Sequence, residues 1–306
     1  MATDRSTRIK LHPNGPSFSK LSAGMWRLNE WDFNVHDMIG FIETAVELGI
    51  TTFDHADIYG GYSNEAIFGE ALKQRPDLRE KMELATKCGI CLVTGNRPQY
   101  TIQHYNTSAK HIRESVEKSL KNLQTDYLDL VLIHRPDPLM SATEMADSFM
   151  ELISEKKIRH VGVSNFTPFQ FTMFQSKLDV PLVTNQVECS LLHLNPIYDG
   201  TFDQAQQLNI SPMLWSPFGG GRLFHQGGDE QIQRIQHILS ELAHKYSAAT
   251  DQIALAWLLM LPCNPHIVLG TGKTERLRGA AGSVKLELER QDWYKLLEAS
   301  NGHPVP

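Results

Sequence analysis

The chain has 306 residues, 41% of them hydrophobic and 21% charged, a globular composition at a length that admits two domains or one α/β barrel. Its net charge of -6 excludes a broadly basic surface for nucleic acid or anionic membrane, so any anionic ligand needs a local basic pocket.

The opening stretch, MATDRSTRIKLHPNGPSF, lacks the apolar core of a signal peptide, and no later stretch is apolar over a membrane's thickness. The expected location is therefore the cytoplasm, with residues up to about 16 a flexible lead and those from about 301 a short tail. KLSAGMW then begins a series of short apolar runs: TTFDHA (51–56), MELATKC (82–88), LDLVLIH (128–134), HVGVSN (160–165), LVTNQVE (182–188), SPMLWSPF (211–218) and HIVLGTG (266–272). Most lack clean alternation, as strands buried on both faces do. Helical patterns lie between them. VHDMIGFIETAVELG (35–49) has apolar residues at helical spacing and stops at Gly49. Ser63 can cap a helix running through EAIFGEAL, SAKHIRESVEKSLKNL (108–123) is amphipathic, and Ser141 with Glu144 has the spacing of a capping box. Residues 229–246 and 251–261 read as two more helices.

Strand–helix alternation of this kind implies right-handed βαβ units and a parallel sheet. About eight such units in a single domain predict a (β/α)8 TIM barrel. The rival doubly wound sheet usually carries G-x-G-x-x-G after its first strand, and KLSAGMWRLN has none. Cys88 and Cys91 form one C-x-x-C, while Cys189 and Cys263 stand alone. Without a second pair a four-thiolate zinc site has no support, and no metal is expected. The thiols read as packed side chains, with a redox role for Cys88 and Cys91 left open.

In a parallel barrel the C-terminal strand ends share one face. That face would gather Asp54 and Tyr59, Lys87, His134, Ser164 and Asn165, Gln186, Trp215 and Ser216, and the loop GTGKTER. A phenol titrates near ~10 and is a poor acid alone. An ammonium at Lys87 favours the phenolate, Asp54 keeps the amine charged, and His134 can hold a carbonyl oxygen near the phenol. Such a set can give a proton to an oxygen as charge develops on it, with hydride left to a cofactor. Asp57 reads as a solvated loop acid, and His55 points to the opposite side of its strand from Asp54. Amide and hydroxyl groups at Ser164, Asn165 and Gln186 suit a carboxamide, and Trp215 offers a flat ring. Thr271, Lys273 and Arg276 stand at a helix start that favours phosphate.

FDHADIYG, ELATKCG, YLDLVLIHRPD, IRHVGVSNF, NQVECS, WSPFGGG and LGTGKTERL, in this order, resemble the aldo/keto reductase family from about residue 17 to about residue 300. GMWRL and GTGKTER resemble its bacterial YdhF-like branch. The resemblance implies a (β/α)8 barrel and NADPH-dependent reduction of small carbonyl compounds, with no nucleic-acid or membrane partner and a monomer as the ordinary state. It carries Asp54, Tyr59, Lys87 and His134 over as the catalytic tetrad, with Tyr59 the proton donor. It puts Ser164, Asn165 and Gln186 at the nicotinamide carboxamide and Trp215 beneath the ring. Ser216, Phe218 and Gly220 fall at the pyrophosphate, and Thr271, Lys273 and Arg276 at the 2′-phosphate, with Gly270 and Gly272 in the same loop. Met25 and Trp26, ending the first strand, are assigned to cofactor binding, Trp26 also as a pocket wall, while Trp31 serves as wall or as loop packing. Gly270 departs from a lysine and Ala280 from an asparagine common in the family; Lys273 and Arg276 still favour NADPH. Two other functions share the fold: a cofactor-binding regulatory subunit with little turnover, and a lyase forming a Schiff base on Lys87.

Overall fold

Alternating side chains and close pairing turn the apolar runs into a closed parallel cylinder. The computed structural model describes residues 7–306. In chain order its strands are β1 (Arg8–Lys10), β2 (Ser17–Ser19), β3 (Leu21–Gly24), β4 (Thr52–Asp54), β5 (Glu83–Cys88), β6 (Ile90–Cys91), β7 (His104–Tyr105), β8 (Leu128–Ile133), β9 (Ile158–Ser164), β10 (Leu182–Glu188), β11 (Met213–Trp215) and β12 (His266–Leu269). β3, β4, β5, β8, β9, β10, β11 and β12 pair in parallel in that order, and β12 pairs with β3 to close the barrel. Each is a run expected from the sequence, and the fold is the expected (β/α)8 barrel. Among the described residues no helix is long and apolar enough to cross a membrane.

A period of two sorts each strand into an inner and an outer face. On β4, Phe53 faces out and meets Phe68 of the following helix with ring centroids 5.3 Å apart. On the inner face, Ala85 precedes Lys87, Leu130 and Leu132 precede His134, and Met213 precedes Trp215. The lower members join Val183, Val268, Ile9, Leu11 and Phe18 in one buried cluster. Ile9, Leu11 and Phe18 belong to the β1–β2 hairpin and the turn it makes. The expected flexible lead is therefore corrected: its later part is folded and plugs the barrel at the strand N-termini. Ser19 ties it there, its Oγ accepting from Thr51 N and Thr52 N at 3.1 and 3.0 Å. The opposite end stays open.

The outer helices start where capping chemistry directs. Asn34 caps Val35–Glu47 in a full capping box with Asp37, and Gly49 (φ 76°) ends it as the left-handed residue of a C-terminal motif. Ser141 caps Ala142–Ser154, but Glu144 turns away and its Oε1 accepts from Ala109 N at 2.8 Å, joining two helices instead of completing the expected box. The C-terminal helix Arg290–Asn301 docks on Thr250–Leu259 through stacked Trp257 and Trp293, 4.9 Å apart, each indole N–H donating to the other's carbonyl.

Candidate active site

Four inner-face positions at the open end meet around one ammonium. Lys87 Nζ donates to Asp54 Oδ2 at 2.7 Å, to His55 O at 2.8 Å and to Tyr59 Oη at 3.1 Å, which uses all three of its protons. Asp54 and Lys87 are 2% and 1% exposed, so this ion pair is held out of water. The other carboxylate oxygen of Asp54 accepts from Gln186 Nε2 at 2.8 Å. Tyr59 reaches the cluster because the chain leaves β4 with His55 N donating to Ala85 O and Asp57 N to Lys87 O, extending the ladder before a short turn. His134 N donates to Cys88 O at 2.8 Å, and its ring stands edge-on to Tyr59 with centroids 5.9 Å apart.

Burial dominates the electrostatics. It lowers the Lys87 ammonium's affinity for its proton, yet the charges and hydrogen bonds of Asp54 and Tyr59 outweigh it and hold Lys87 above its ordinary value. Burial raises the Tyr59 phenol, and Lys87 pulls it down only in part, so the net displacement is upward. This corrects the expectation of a phenol made more acidic overall: desolvation of the phenolate exceeds the attraction of the cation. Burial, then Lys87, then Arg135 hold the His134 imidazole well below its ordinary value, so it is neutral.

A second group of side chains rings the same opening. Ser164 Oγ donates to Gln186 O at 2.9 Å, and Asn165 Nδ2 donates to Ser164 Oγ at 2.8 Å and His134 O at 3.3 Å. Trp215 Nε1 donates to Asn165 Oδ1 at 3.2 Å, which fixes the indole across the mouth. Asn165 and Ser216 turn their strands outward in the left-handed region at φ 59° and 52°. Gly220 and Gly221 follow at φ 69° and 94°, and a Cβ on either would meet nothing within 4 Å. This open, glycine-lined loop lies beside the loop after β12, where Gly270 is likewise unobstructed and exposed Lys273 and Arg276 begin the helix Thr274–Ser283. Thr271 Oγ1 accepts from Lys273 N at 3.2 Å. Such loops have the donor chemistry for phosphate.

A family model described as the aldo/keto reductase family matches residues 20–301. The chain belongs to the aldo/keto reductase family. It is 49% identical to Oxidoreductase YdhF of Escherichia coli over 98% of this chain and 99% of that one. It is 42% identical to a 6-dehydroglucose reductase of Agrobacterium fabrum over 94% of this chain and 96% of that one. Among solved structures, the thermostable aldo-keto reductase Tm1743, in complex with the inhibitor epalrestat, superposes with a TM-score of 0.81 at 26% identity, covering 96% of this chain and all of that one.

Several residues of this aldo/keto reductase make contacts that their places in the sequence do not show. Met25 has its side chain fully buried in the core between strands and helices, so only its backbone faces the rim, where its carbonyl accepts from Asn64 Nδ2 at 2.8 Å. Trp26 is 56% exposed at the rim. Gly272 serves packing: a Cβ there would meet the Trp31 ring at 2.5 Å, and Trp31 lies against Phe33 and Phe41. Phe218 packs on Phe224, centroids 5.2 Å apart, across the glycine run that separates them in sequence. Asp57 is not a solvated acid: its Oδ1 is buried without a partner, and burial with neighbouring Glu65 pushes its carboxyl well up. His55 packs edge-on to Phe68 at 4.6 Å, and only its backbone carbonyl enters the site. Cys88 and Cys91 are buried free thiols; burial raises both. The sequence reading missed that Gln186 orients Asp54. The one available signal was an amide at the end of an inward-facing strand.

Proposed function

We propose that this aldo/keto reductase reduces aldehyde or ketone carbonyls to alcohols with NADPH, Tyr59 giving the proton. The observation that carries the reading is the Lys87 ammonium, bound to Asp54 and donating to Tyr59 Oη at 3.1 Å beside the His134 ring. Because Tyr59 Oη accepts from Lys87, the phenol's own proton is left for the substrate oxygen. A carbonyl oxygen at the mouth would take a hydrogen bond from neutral His134 and the proton of Tyr59, while the ammonium steadies the phenolate left behind.

The cofactor supplies the hydride at the carbonyl carbon. Ser164, Asn165 and Gln186 would hold its carboxamide, and Trp215 would lie under its ring. Ser216, Phe218 and Gly220 would bound the diphosphate. Lys273, Arg276 and Thr271, with Gly270 leaving space, would receive the 2′-phosphate, and Trp26 would close the rim. The open glycine loop and the exposed cations support this fit. The substrate is a small carbonyl compound; the dehydroglucose reductase relative argues for including oxidised sugars in the test panel.

The test is Tyr59→Phe. Its affinity for NADPH, read by fluorescence titration, should stay within about twofold, while turnover on an aldehyde panel falls by about 10²–10⁴. Full turnover in the variant would remove Tyr59 from the chemistry. Absence of turnover in the wild type with preserved NADPH binding would favour a regulatory subunit instead.

A further inference from the structure

Arg135 directly follows His134, yet its guanidinium lies 5.6 Å from the centroid of the Trp215 ring. His134 ends β8 and Trp215 ends β11, with β9 and β10 between them in the barrel. Arg135 and the Trp215 indole, itself tied to Asn165 at the end of β9, therefore meet at the strand C-termini. The Arg135 side chain is partly buried, and no carboxylate among the described residues pairs with it. The nearest acid in sequence, Asp137, is engaged elsewhere: its Oδ1 accepts from Leu139 N at 2.8 Å and its Oδ2 from Thr107 Oγ1 at 3.1 Å. After burial and Lys87, Arg135 is the next charge lowering the His134 imidazole, and it also pulls on the Tyr59 phenol. It is thus within electrostatic range of the reacting oxygen.

A partly desolvated guanidinium without an anion is unfavourable in a pocket that already holds one ammonium. Its cation–π contact with Trp215 offsets only part of that. A second arginine–indole pair, Arg27 with Trp26 at 5.6 Å, sits where both residues are exposed and water serves the cation, so it makes no such demand. We propose that Arg135 binds a carboxylate carried by the substrate, so that this enzyme prefers carbonyl acids to neutral carbonyl compounds of the same size. The planar fork of Arg135 takes a planar carboxylate with two parallel hydrogen bonds. The proposal rests on the reductase reading, and names the substrate class of that same site. Arg135 is a specificity residue and takes no part in the proton transfer.

Succinic semialdehyde and its methyl ester, reduced with NADPH, test it in the wild type, Arg135→Met and Arg135→Lys. The wild type should favour the acid by about tenfold or more in kcat/KM. Arg135→Met should lose about 10- to 100-fold on the acid, mainly through KM, and less than about threefold on the ester; Arg135→Lys should recover part of the loss. Equal use of acid and ester by the wild type, or equal losses on both in Arg135→Met, would overturn the proposal. Calorimetric titration of succinate into protein saturated with NADPH reads binding without turnover. If neither aldehyde is reduced, the reductase reading falls. Succinate binding to the wild type but not to Arg135→Met would then still uphold the carboxylate site, and equal binding to both would end it.

Discussion

Lys87→Met keeps the length of the side chain and removes its charge, which isolates what the ammonium does. In the folded protein Nζ has three acceptors within 3.1 Å and a side-chain exposure of 1%. The variant leaves a buried Asp54 carboxylate with Gln186 Nε2 as its one remaining partner, and strips an acceptor's partner from both His55 O and Tyr59 Oη. Breaking one side of a buried, hydrogen-bonded ion pair costs about 3–5 kcal/mol. Asp54→Asn leaves the mirror-image defect, an ammonium without its counter-charge, and should cost a similar amount. The double variant removes both charges, so its loss should fall short of the sum of the singles by about 2 kcal/mol or more. Urea unfolding of the four proteins, with their slopes compared, measures this. The pair also sets an alkaline limit. The folded value of Lys87 lies above its unfolded value of 10.5, so its contribution is complete below that pH and is lost as pH rises through the raised value. Lys87→Met should lack that limb. A cost below about 1 kcal/mol for Lys87→Met, or strict additivity in the cycle, would show that water reaches the pair and would refute the reasoning.

On the acid side, burial lowers His55 to about 3 and His266 to about 4, the latter against a backbone hydrogen bond at Ser19. Stability present above the unfolded value of 6.5 should therefore be lost as pH falls from there to about 3 for His55 and about 4 for His266, by about 1.4 kcal/mol per pH unit for each histidine within its window. Asp57 and Glu65 are raised and act with the opposite sign, and His55→Leu should make the acid limb shallower by about one proton in urea titrations at stepped pH. Tyr59 is displaced above 10.0, so the protonated phenol persists through neutral pH. The rate of carbonyl reduction should show no loss from this group below about pH 10, and a limb near pH 8 that Tyr59→Phe abolishes would contradict it. Arg276→Ala should weaken NADPH by about tenfold and leave NADH within about twofold, because only the former carries the 2′-phosphate; equal effects on both cofactors in fluorescence titrations would place Arg276 elsewhere.

How much of this was legible in the sequence depends on how local the physics is. All eight barrel strands could be read, because a strand buried on both faces is an unbroken apolar run whatever surrounds it. Helix starts with polar caps, at Asn34, Ser108, Ser141 and Asp229, fell close to their observed positions, whereas Ser63 stands at its helix start without capping it, its Oγ donating instead to Gly60 O at 2.7 Å. The helix Pro168–Gln175 escaped, although Thr167 and Gln170 box its start, because PFQFTMFQ puts Phe169 at 88% exposure and blurs the apolar face. β1 and β2 escaped because three residues such as RIK carry no period; the hairpin is held by what it plugs, the inner faces of distant strands.

The sign of the Tyr59 displacement shows where sequence reasoning stops. Neighbours can be inferred from strand ends, but depth cannot, and depth here decides the outcome. The corrected sign still suits a proton donor. In the proposed role, a phenol raised by burial would keep its proton until a substrate arrived. Lys87, already bound by Asp54 and His55 O, needs no reorganisation to stabilise the phenolate once the proton has gone. On the proposed mechanism the cation would act on the state that forms during reaction and less on the resting acid, which is where a preorganised charge lowers a barrier. If that is so, Lys87→Met and Tyr59→Phe should not lose activity additively. With the phenol absent the ammonium has no phenolate to stabilise, and the double variant should be about as slow as Tyr59→Phe alone. Kinetics of the four proteins on one aldehyde decide the point, and additive losses would mean that Lys87 contributes by a route other than Tyr59.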